Sequence, residues 1–219
     1  EHLTVNQGVL GSSPRGGATK TTDYLGGFYF CKWLSAMIVK HRFITIPCEN
    51  TEILILGTFN PDVPANKANY YYSRPQNHFW KLIPIALGTN LDLRKATKDE
   101  KIRFCEQFNI DFLDLISEIE VNPGEESNYS DDFIDSKIKS WTPVEEFLLR
   151  MPKLKCIYFT RKTFSGIKNI RLRLKSIQEF CTQRNIELTF LPTPARIYTP
   201  VKQNYWNSAF LSFRKSSFQ

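Results

Sequence analysis

The 219-residue sequence lacks the marks of several protein classes. No apolar run approaches the roughly 18 residues that a membrane helix needs, so we expect no membrane insertion. The five cysteines are odd in number and widely spaced, which predicts neither a disulfide framework nor a Cys-x-x-Cys metal site. We therefore expect a reducing, cytoplasmic setting and no metal.

Glycine-rich phosphate-binding patterns are also absent, both Gly-x-x-x-x-Gly-Lys-Ser/Thr and Gly-x-Gly-x-x-Gly. Their absence argues against a nucleotide-hydrolysing α/β enzyme in which the loop at Gly57 would hold phosphate. Positive charge, by contrast, is in excess: 29 Lys and Arg residues against 22 Asp and Glu give a net charge of +7. This excess is compatible with a nucleic-acid partner and equally with simple solubility.

The first 36 residues differ from the rest, with Gly-Ser-Ser-Pro-Arg-Gly-Gly at 11–17 and Gly-Gly at 26–27. We expect this leader to be unfolded or loosely attached, and our hypothesis is that it is a start-site artefact. The domain proper would then be residues 37–219, beginning at Met37. A secretory signal is the alternative, although Lys32 interrupts the apolar stretch. Detection of an N-terminal peptide from before Met37 in the native host would contradict the artefact hypothesis.

Beyond residue 44, short apolar runs alternate with longer amphipathic stretches, which is typical of a parallel sheet covered by helices. The apolar runs predict strands at 53–57, 110–113, 156–159 and 187–191. The amphipathic patterns predict helices at 77–87, 98–108, 143–151, 163–184 and 206–213. The predicted fold is a three-layer α/β/α domain with a short, mainly parallel, four-stranded central sheet.

Two of these strands end in unusual loops. The first is followed by Gly-Thr-Phe-Asn-Pro-Asp at 57–62, and the last by Leu-Pro-Thr-Pro-Ala-Arg at 191–196. In an open parallel sheet, ligands bind in the crevice beyond the carboxyl ends of the strands. We therefore expect the functional site at this edge.

The first loop leads to three tyrosines at 70–72 and to Arg-Pro-Gln-Asn-His-Phe-Trp at 74–80. With Gly-Thr-Phe-Asn-Pro, this pattern resembles the first half of the uracil-DNA glycosylase superfamily, closest to its hypoxanthine-specific and mismatch-specific branches. Leu-Pro-Thr-Pro at 191–194 stands where the superfamily has its second motif, and Asp111, Asp114 and residues 130–132 also resemble the family layout. The resemblance implies a monomeric, cofactor-free hydrolase that removes a deaminated base, uracil or hypoxanthine, from double- or single-stranded DNA.

Cleavage of an N-glycosidic bond requires a placed water and a hydrogen-bond donor to the departing base. The resemblance to the hypoxanthine branch implies that Asn77 holds the water, and the mismatch branch implies Asn60. Asn60 also fits a turn residue before proline, and Asn77 a helix N-cap, so both remain candidates. His78 as donor and Asp62 as water-activating acid are further catalytic candidates, with a surface imidazole and a solvated carboxylate as the alternatives.

A flipped base is held by stacking and by hydrogen bonds to its edge. The candidate base-binding residues are Thr58, Phe59, Tyr71 and Tyr72, and core packing is the alternative for the aromatic ones. The candidate DNA contacts are Lys162, Lys168, Pro192, Thr193, Pro194 and Arg196. The chain departs from the family at Arg196, and at residues 160–162, where several branches carry a base-recognising asparagine. The base is therefore left open, and a catalytically inactive nucleic-acid-binding module is the alternative function.

Overall fold

The computed structural model describes residues 36–43, 46 and 48–213. The leader expected at residues 1–36 lies outside these ranges apart from Ala36. The strands are β1 (Met37–Lys40), β2 (Ile53–Gly57), β3 (Ile110–Asp114), β4 (Ile116–Val121), β5 (Ile138–Trp141), β6 (Cys156–Phe159) and β7 (Glu187–Phe190). The helices are α1 (Phe79–Ala86), α2 (Lys98–Gln107), α3 (Asp131–Ser136), α4 (Val144–Leu148), α5 (Lys168–Thr182) and α6 (Pro200–Ala209), followed by a 3-10 turn at Leu211–Phe213.

The central sheet contains four parallel strands in the order β3-β2-β6-β7. β2 is buried along its whole length, as expected for a continuous apolar run inside a parallel sheet. Its residue Leu54 is paired with Asp111 on one side and with Ile157 on the other. The predicted four-stranded parallel sheet is confirmed, with strand bounds that differ from the predicted ones by at most one residue.

Helices cover both faces of this sheet, because alternate residues of β2 point in opposite directions. Ile53 and Ile55 belong to a core with side chains of α1, α2 and α6. Leu54 and Leu56 belong to a second core with side chains of α3, α4 and α5. The three-layer arrangement is therefore confirmed. No helix in the described part of the chain is both long and apolar enough to span a membrane.

A second, antiparallel sheet with the order β1-β4-β5 was not expected from the sequence. Its middle strand β4 is buried at Ile116, Ile119 and Val121, which belong to the second core. Leu115 is the only residue between β3 and β4, so the two strands form one continuous stretch in the sequence. A single apolar stretch gives no sign that the chain changes from one sheet to another.

The last two predicted helices need correction. The helix predicted at 206–213 begins instead at Pro200, where the Thr199 hydroxyl accepts from the Lys202 backbone N–H at 3.1 Å. The helix predicted at 163–184 is shorter and begins at Lys168. There the Asp135 carboxylate accepts from the N–H groups of Asn169 and Ile170 at 3.1 and 2.6 Å. Both starts depend on capping groups, one of them more than 30 residues away in sequence.

The chain turns to opposite faces after the two middle strands of the central sheet. After β2 it leads to α1 in the first core, and after β6 it leads to α5 in the second core. A crevice opens where neighbouring parallel strands send the chain in opposite directions. The fold therefore places a crevice between the ends of β2 and β6.

Candidate active site

A cavity of about 430 Å³ opens at the carboxyl ends of all four parallel strands. Its described lining residues come from the ends of the four strands, from the loops that follow β2, β6 and β7, and from residues 129–132 at the start of α3: Gly57, Thr58, Phe59, Asn60, Tyr71, Tyr72, Arg74, Asn77, Asp114, Tyr129, Ser130, Asp131, Asp132, Thr160, Arg161, Thr163, Thr193, Pro194, Ala195 and Arg196. The cavity lies at the edge of the sheet where the sequence predicts the functional site.

Backbone hydrogen bonds join the loop after β2 to the loop after β7 at the entrance of this cavity. Asn77 and Ala195 form an isolated antiparallel bridge. The His78 N–H donates to the Pro194 carbonyl at 2.8 Å, and the Arg196 N–H donates to the Gln76 carbonyl at 2.9 Å. We call this paired segment, residues 76–78 and 194–196, the entrance ladder. It brings together the two loops that resemble the two superfamily motifs.

Asn60 is only 7% exposed and lines the cavity. Its Oδ1 accepts from Asn66 Nδ2 at 2.6 Å. The Asn66 amide is itself oriented by backbone groups, because its Oδ1 accepts from the Ala68 N–H and its Nδ2 also donates to the Pro61 carbonyl. Asn60 must therefore turn its oxygen to Asn66, which leaves its amide N–H groups for the cavity.

Asn77 lines the cavity at the entrance ladder and is half-buried. Its Oδ1 accepts from the Phe79 backbone N–H at 2.9 Å, at the first residue of α1. This bond satisfies one of the free N–H groups of the helix start, but the N-cap of α1 is His78, one residue later than the N-cap alternative predicts. A carbonyl oxygen has two lone pairs, so the same atom can still accept a second hydrogen bond.

The aromatic candidates occupy different environments. Tyr71 is 2% exposed, stacks on Phe112 with ring centroids 5.0 Å apart, and is part of the first core. Tyr72 has a left-handed backbone, with φ of 56°, and stacks on Phe79 at 4.4 Å. Its hydroxyl is 3.1 Å from Thr160 Oγ1. Burial raises the pKa of Tyr72 well above its ordinary value, so the hydroxyl keeps its proton.

A buried ion pair lies beside this hydroxyl. Asp114, the last residue of β3, holds His41 at 2.6 Å from Oδ2 to Nε2, and their side chains are 7% and 10% exposed. Burial lowers the pKa of His41, but the Asp114 carboxylate outweighs burial, and the pKa is raised above its ordinary 6.5. A side chain on Gly57 would lie 2.1 Å from Asp114 Oδ1 and 2.8 Å from the Tyr72 hydroxyl. We call Gly57, Tyr72, Asp114 and Thr160 the cavity floor.

One wall carries further charge. Arg161 donates to the Asp131 carboxylate and, through Nε, to the Thr163 carbonyl at 2.6 Å. Burial raises the pKa of Asp131, and Arg161 opposes this rise. Arg74 lies 4.0 Å from the centre of the Tyr129 ring. The sequence gives no sign of a role for Arg74, Arg161 or His41, because their partners are distant in sequence. Asp114 and Asp131 are indicated only by the resemblance to the family layout.

The other candidates lie away from the cavity or at its entrance. The described lining residues do not include His78, whose Nε2 is 2.8 Å from the Arg196 carbonyl oxygen, or Asp62, which is exposed. Pro192 is also outside the lining, and its carbonyl accepts from Trp206 Nε1 at 3.1 Å. Four candidate DNA contacts are exposed: Lys162, Lys168, Thr193 and Arg196. Of these, Thr193 and Arg196 line the entrance.

Known proteins resemble this chain in both sequence and structure. No family model matches it. A hypoxanthine DNA glycosylase of Methanosarcina acetivorans is 30% identical over 122 residues, which are 56% of this chain and 71% of that protein. Another, of Methanosarcina barkeri, is 30% identical over 106 residues, 48% of this chain and 65% of that protein. A solution NMR structure from Methanosarcina acetivorans, provisionally described as a uracil DNA glycosylase, superposes with a TM-score of 0.57 at 25% identity, covering 81% of this chain and 99% of that one.

Proposed function

Because this chain belongs to the hypoxanthine-DNA glycosylase branch of the uracil-DNA glycosylase superfamily, we propose that it is a monofunctional DNA glycosylase. In this proposal it hydrolyses the bond between a deaminated base and its sugar and leaves an abasic site. Hypoxanthine is the first candidate base, since both sequence relatives carry that name, and uracil is the second. The proposed partner is double- or single-stranded DNA, with one copy of the chain acting in the cytoplasm.

The observation that carries this proposal is the pair of neutral amides at two depths of one cavity. Asn60 is buried within it, and Asn77 is half-buried at the entrance ladder. A flipped nucleotide enters base first, so its sugar remains near the entrance. Asn77 is then placed beside the sugar and Asn60 beside the base.

These positions match the two needs of the reaction. The transition state has positive charge on the sugar and negative charge on the departing base, so a water must be held near C1′ and a donor must face the base. The free lone pair of Asn77 Oδ1 can hold the water without adding charge. The N–H groups of Asn60 can donate to the base, because Asn66 already holds its oxygen. The geometry thus favours Asn77 over Asn60 for the water.

Extraction of a base from its stack costs a few kcal/mol and requires compensating contacts, about 1–3 kcal/mol for each base stacked on an aromatic ring. Phe59 lines the cavity and is the aromatic candidate for that contact. At the entrance, Arg196 is exposed and is followed by Ile197, 73% of whose surface is accessible. A cation and an apolar side chain at this position suit a phosphate contact and the gap left by the flipped base.

The test is cleavage of labelled oligonucleotides that carry hypoxanthine or uracil, incubated with the full chain and then treated with alkali to break abasic sites. We expect Asn77→Ala to slow single-turnover cleavage by at least about 100-fold and Asn60→Ala to slow it by a similar factor. Asn204→Ala, on the exposed face of α6, is the matched control and should cleave normally.

Two results would contradict the proposal. Salt-sensitive DNA binding without cleavage would favour a binding module on the same fold, in which Asn77 Oδ1 serves only to accept from the Phe79 N–H. Failure to bind DNA, with turnover of free nucleotides, would instead indicate a nucleotide-hydrolysing enzyme.

A further inference from the structure

Arg74, in the wall of the cavity, has a guanidinium group that makes no hydrogen bond within the described part of the chain. The residue is half-buried and lines the cavity, and its guanidinium carbon lies 4.0 Å from the centre of the Tyr129 ring. Burial lowers the pKa of Arg74, although arginine keeps its proton in proteins. Withdrawal of a cation from water without hydrogen-bond partners is costly, so this group is suited to an anionic ligand.

The carboxylates that act on this guanidinium already have cationic partners. Asp114 is paired with His41 at 2.6 Å, and Asp131 is paired with Arg161. Asp132 also lines the cavity, but it is exposed to water and forms no ion pair with the guanidinium. Among the described residues, the guanidinium therefore has an aromatic ring as its neighbour and no counterion of its own.

The position of Arg74 in the chain indicates which anion is meant. The Asn77 N–H donates to the Arg74 carbonyl at 2.9 Å, so the two residues belong to one turn that leads into the entrance ladder. The proposed function places the sugar of the flipped nucleotide beside Asn77. The phosphate groups bonded to that sugar are then the anions that come closest to this turn.

We propose that Arg74 binds a phosphate group adjoining the flipped nucleotide, with the Tyr129 ring holding its guanidinium in place. This inference rests on the proposed function. A planar guanidinium can donate two parallel N–H groups to two phosphate oxygens. Phosphates of an undistorted duplex meet only exposed cations such as Arg196, whereas rotation of a nucleotide out of the stack draws its phosphates towards the cavity. Arg74 thus recognises the flipped state rather than DNA in general.

Tyr129 contributes through its ring and not through its hydroxyl. The hydroxyl oxygen is buried and has no hydrogen-bond partner in the described part of the chain. The face of the ring attracts the guanidinium by a cation–π interaction, which phenylalanine can also provide. Tyr129→Phe should therefore bind DNA like the wild type, whereas Tyr129→Leu should weaken binding in the same direction as loss of Arg74.

The first measurement compares affinities for two duplexes, one with hypoxanthine and one with adenine in a 2′-fluoroarabino nucleotide, which resists cleavage. Arg74→Gln removes the charge and keeps most of the length. We expect it to lower the affinity for the hypoxanthine duplex about 10- to 100-fold, since that is the range for a hydrogen bond to a charged group. The affinity for the adenine duplex should change less than about twofold, because no nucleotide is held in the cavity.

Arg184→Gln is the matched control. Arg184 makes the same kind of contact, with its guanidinium carbon 3.9 Å from the centre of the Phe180 ring. It is exposed and precedes β7, so it lies at the edge of the sheet opposite the cavity. Both affinities should equal those of the wild type in this variant.

A second measurement identifies the anion. A methylphosphonate, in which a methyl group replaces one charged phosphate oxygen, is placed on the 5′ or the 3′ side of the hypoxanthine nucleotide. At one of these positions the wild type should lose affinity about tenfold or more. Arg74→Gln, which has already lost the contact, should lose less than about twofold at the same position.

The thermal unfolding midpoint of each variant is recorded alongside, and Tyr129→Leu replaces Arg74→Gln in both measurements if the latter does not fold. Equal loss at both positions in wild type and variant would overturn the inference, as would a wild type that is insensitive to either methylphosphonate. Cleavage of hypoxanthine by the wild type would in those cases leave the proposed function intact. Absence of all cleavage, with the expected losses of affinity, would reject the activity and retain the phosphate contact.

Discussion

Asn66 orients the Asn60 amide through a hydrogen bond of 2.6 Å from Nδ2 to Oδ1. Both residues are buried, and Asn66 is itself held by the backbone at Pro61 and Ala68. Asn66 therefore determines the direction in which Asn60 presents its N–H donors, although Asn66 is not among the described residues that line the cavity.

Asn66→Asp should reverse this orientation. A carboxylate cannot donate to Asn60 Oδ1, so the Asn60 amide is expected to rotate, donate to the carboxylate and turn its oxygen to the cavity. We expect cleavage of hypoxanthine to fall at least about tenfold with little change in DNA affinity. Single-turnover kinetics and a binding titration measure the two effects. Asn204→Asp controls for the added charge, and a parallel loss of affinity in Asn66→Asp would contradict the assigned role.

The His41–Asp114 pair should make stability depend on pH. The pKa of His41 is raised in the folded chain. The pair therefore contributes its full stabilisation below about pH 6.5, the ordinary pKa of histidine. This stabilisation is lost as the pH rises through the folded-state pKa. We expect the free energy of unfolding to decrease over that window. Urea titrations between pH 5 and about 9 follow it, since histidine titrates there when its pKa is raised. His41→Gln should remove this part of the slope.

Removal of one partner of the same pair should be costly. His41→Ala leaves the Asp114 carboxylate buried without its cation. We expect the free energy of unfolding to decrease by about 3 kcal/mol near pH 6. Chemical denaturation of the wild type and the variant gives the difference. A loss below about 0.5 kcal/mol, the range of ordinary surface substitutions, would show that the pair is more accessible to water than its burial indicates.

Gly57→Ala should damage the cavity more than the fold. The added methyl group would lie 2.1 Å from Asp114 Oδ1, so the carboxylate must move away from its position beside Tyr72. We expect cleavage to fall about 100-fold, a loss that a misplacement of about 1 Å can cause. Gly124→Ala is the control: its side chain would meet nothing within 4 Å, although its φ of 93° also strains the variant. Equal cleavage by the two variants would contradict the prediction.

Arg196 should act on DNA affinity through charge. Its φ is 69°, so Arg196→Asn is a suitable change, because asparagine tolerates the left-handed region. If Arg196 neutralises one phosphate, the slope of log affinity against log salt should become shallower by about 0.9 on duplex DNA. Lys153→Ala, just before β6 and so at the opposite edge of the sheet, should leave the slope unchanged. An unchanged slope in Arg196→Asn would exclude the phosphate contact.

The sequence was informative where structure depends on local pattern. Continuous apolar runs identified the four parallel strands, and the ends of β2 and β7 then located the cavity. The three tyrosines show the limit of such patterns. Tyr71 and Tyr72 are adjacent residues of the same type, but Tyr72 has a left-handed backbone. The Tyr71 ring is buried in the core, whereas the Tyr72 hydroxyl lies at the cavity floor.

Contacts between residues that are distant in sequence could not be predicted in the same way. His41 and Asp114 are 73 positions apart, and no spacing rule relates a histidine after β1 to the last residue of β3. Asn66 was equally hidden, because a buried asparagine and a solvated loop asparagine have the same sequence signature. The first contact depends on the antiparallel sheet that the sequence did not indicate, since His41 follows β1 of that sheet. The second depends on how the loop after β2 folds on itself.

The entrance ladder consists of main-chain hydrogen bonds between residues 76–78 and 194–196. Every residue has a backbone carbonyl, and every residue except proline has a backbone N–H. These hydrogen bonds are therefore kept when most side chains of the entrance ladder are replaced. Under the proposed function, variation at Arg196 or Ala195 would consequently alter the side chains offered to DNA while the spacing of the two loops is kept. Directed evolution of substrate range would do best to randomise these positions and to leave proline out of the codon set at 78 and 196, whose N–H groups form the bonds.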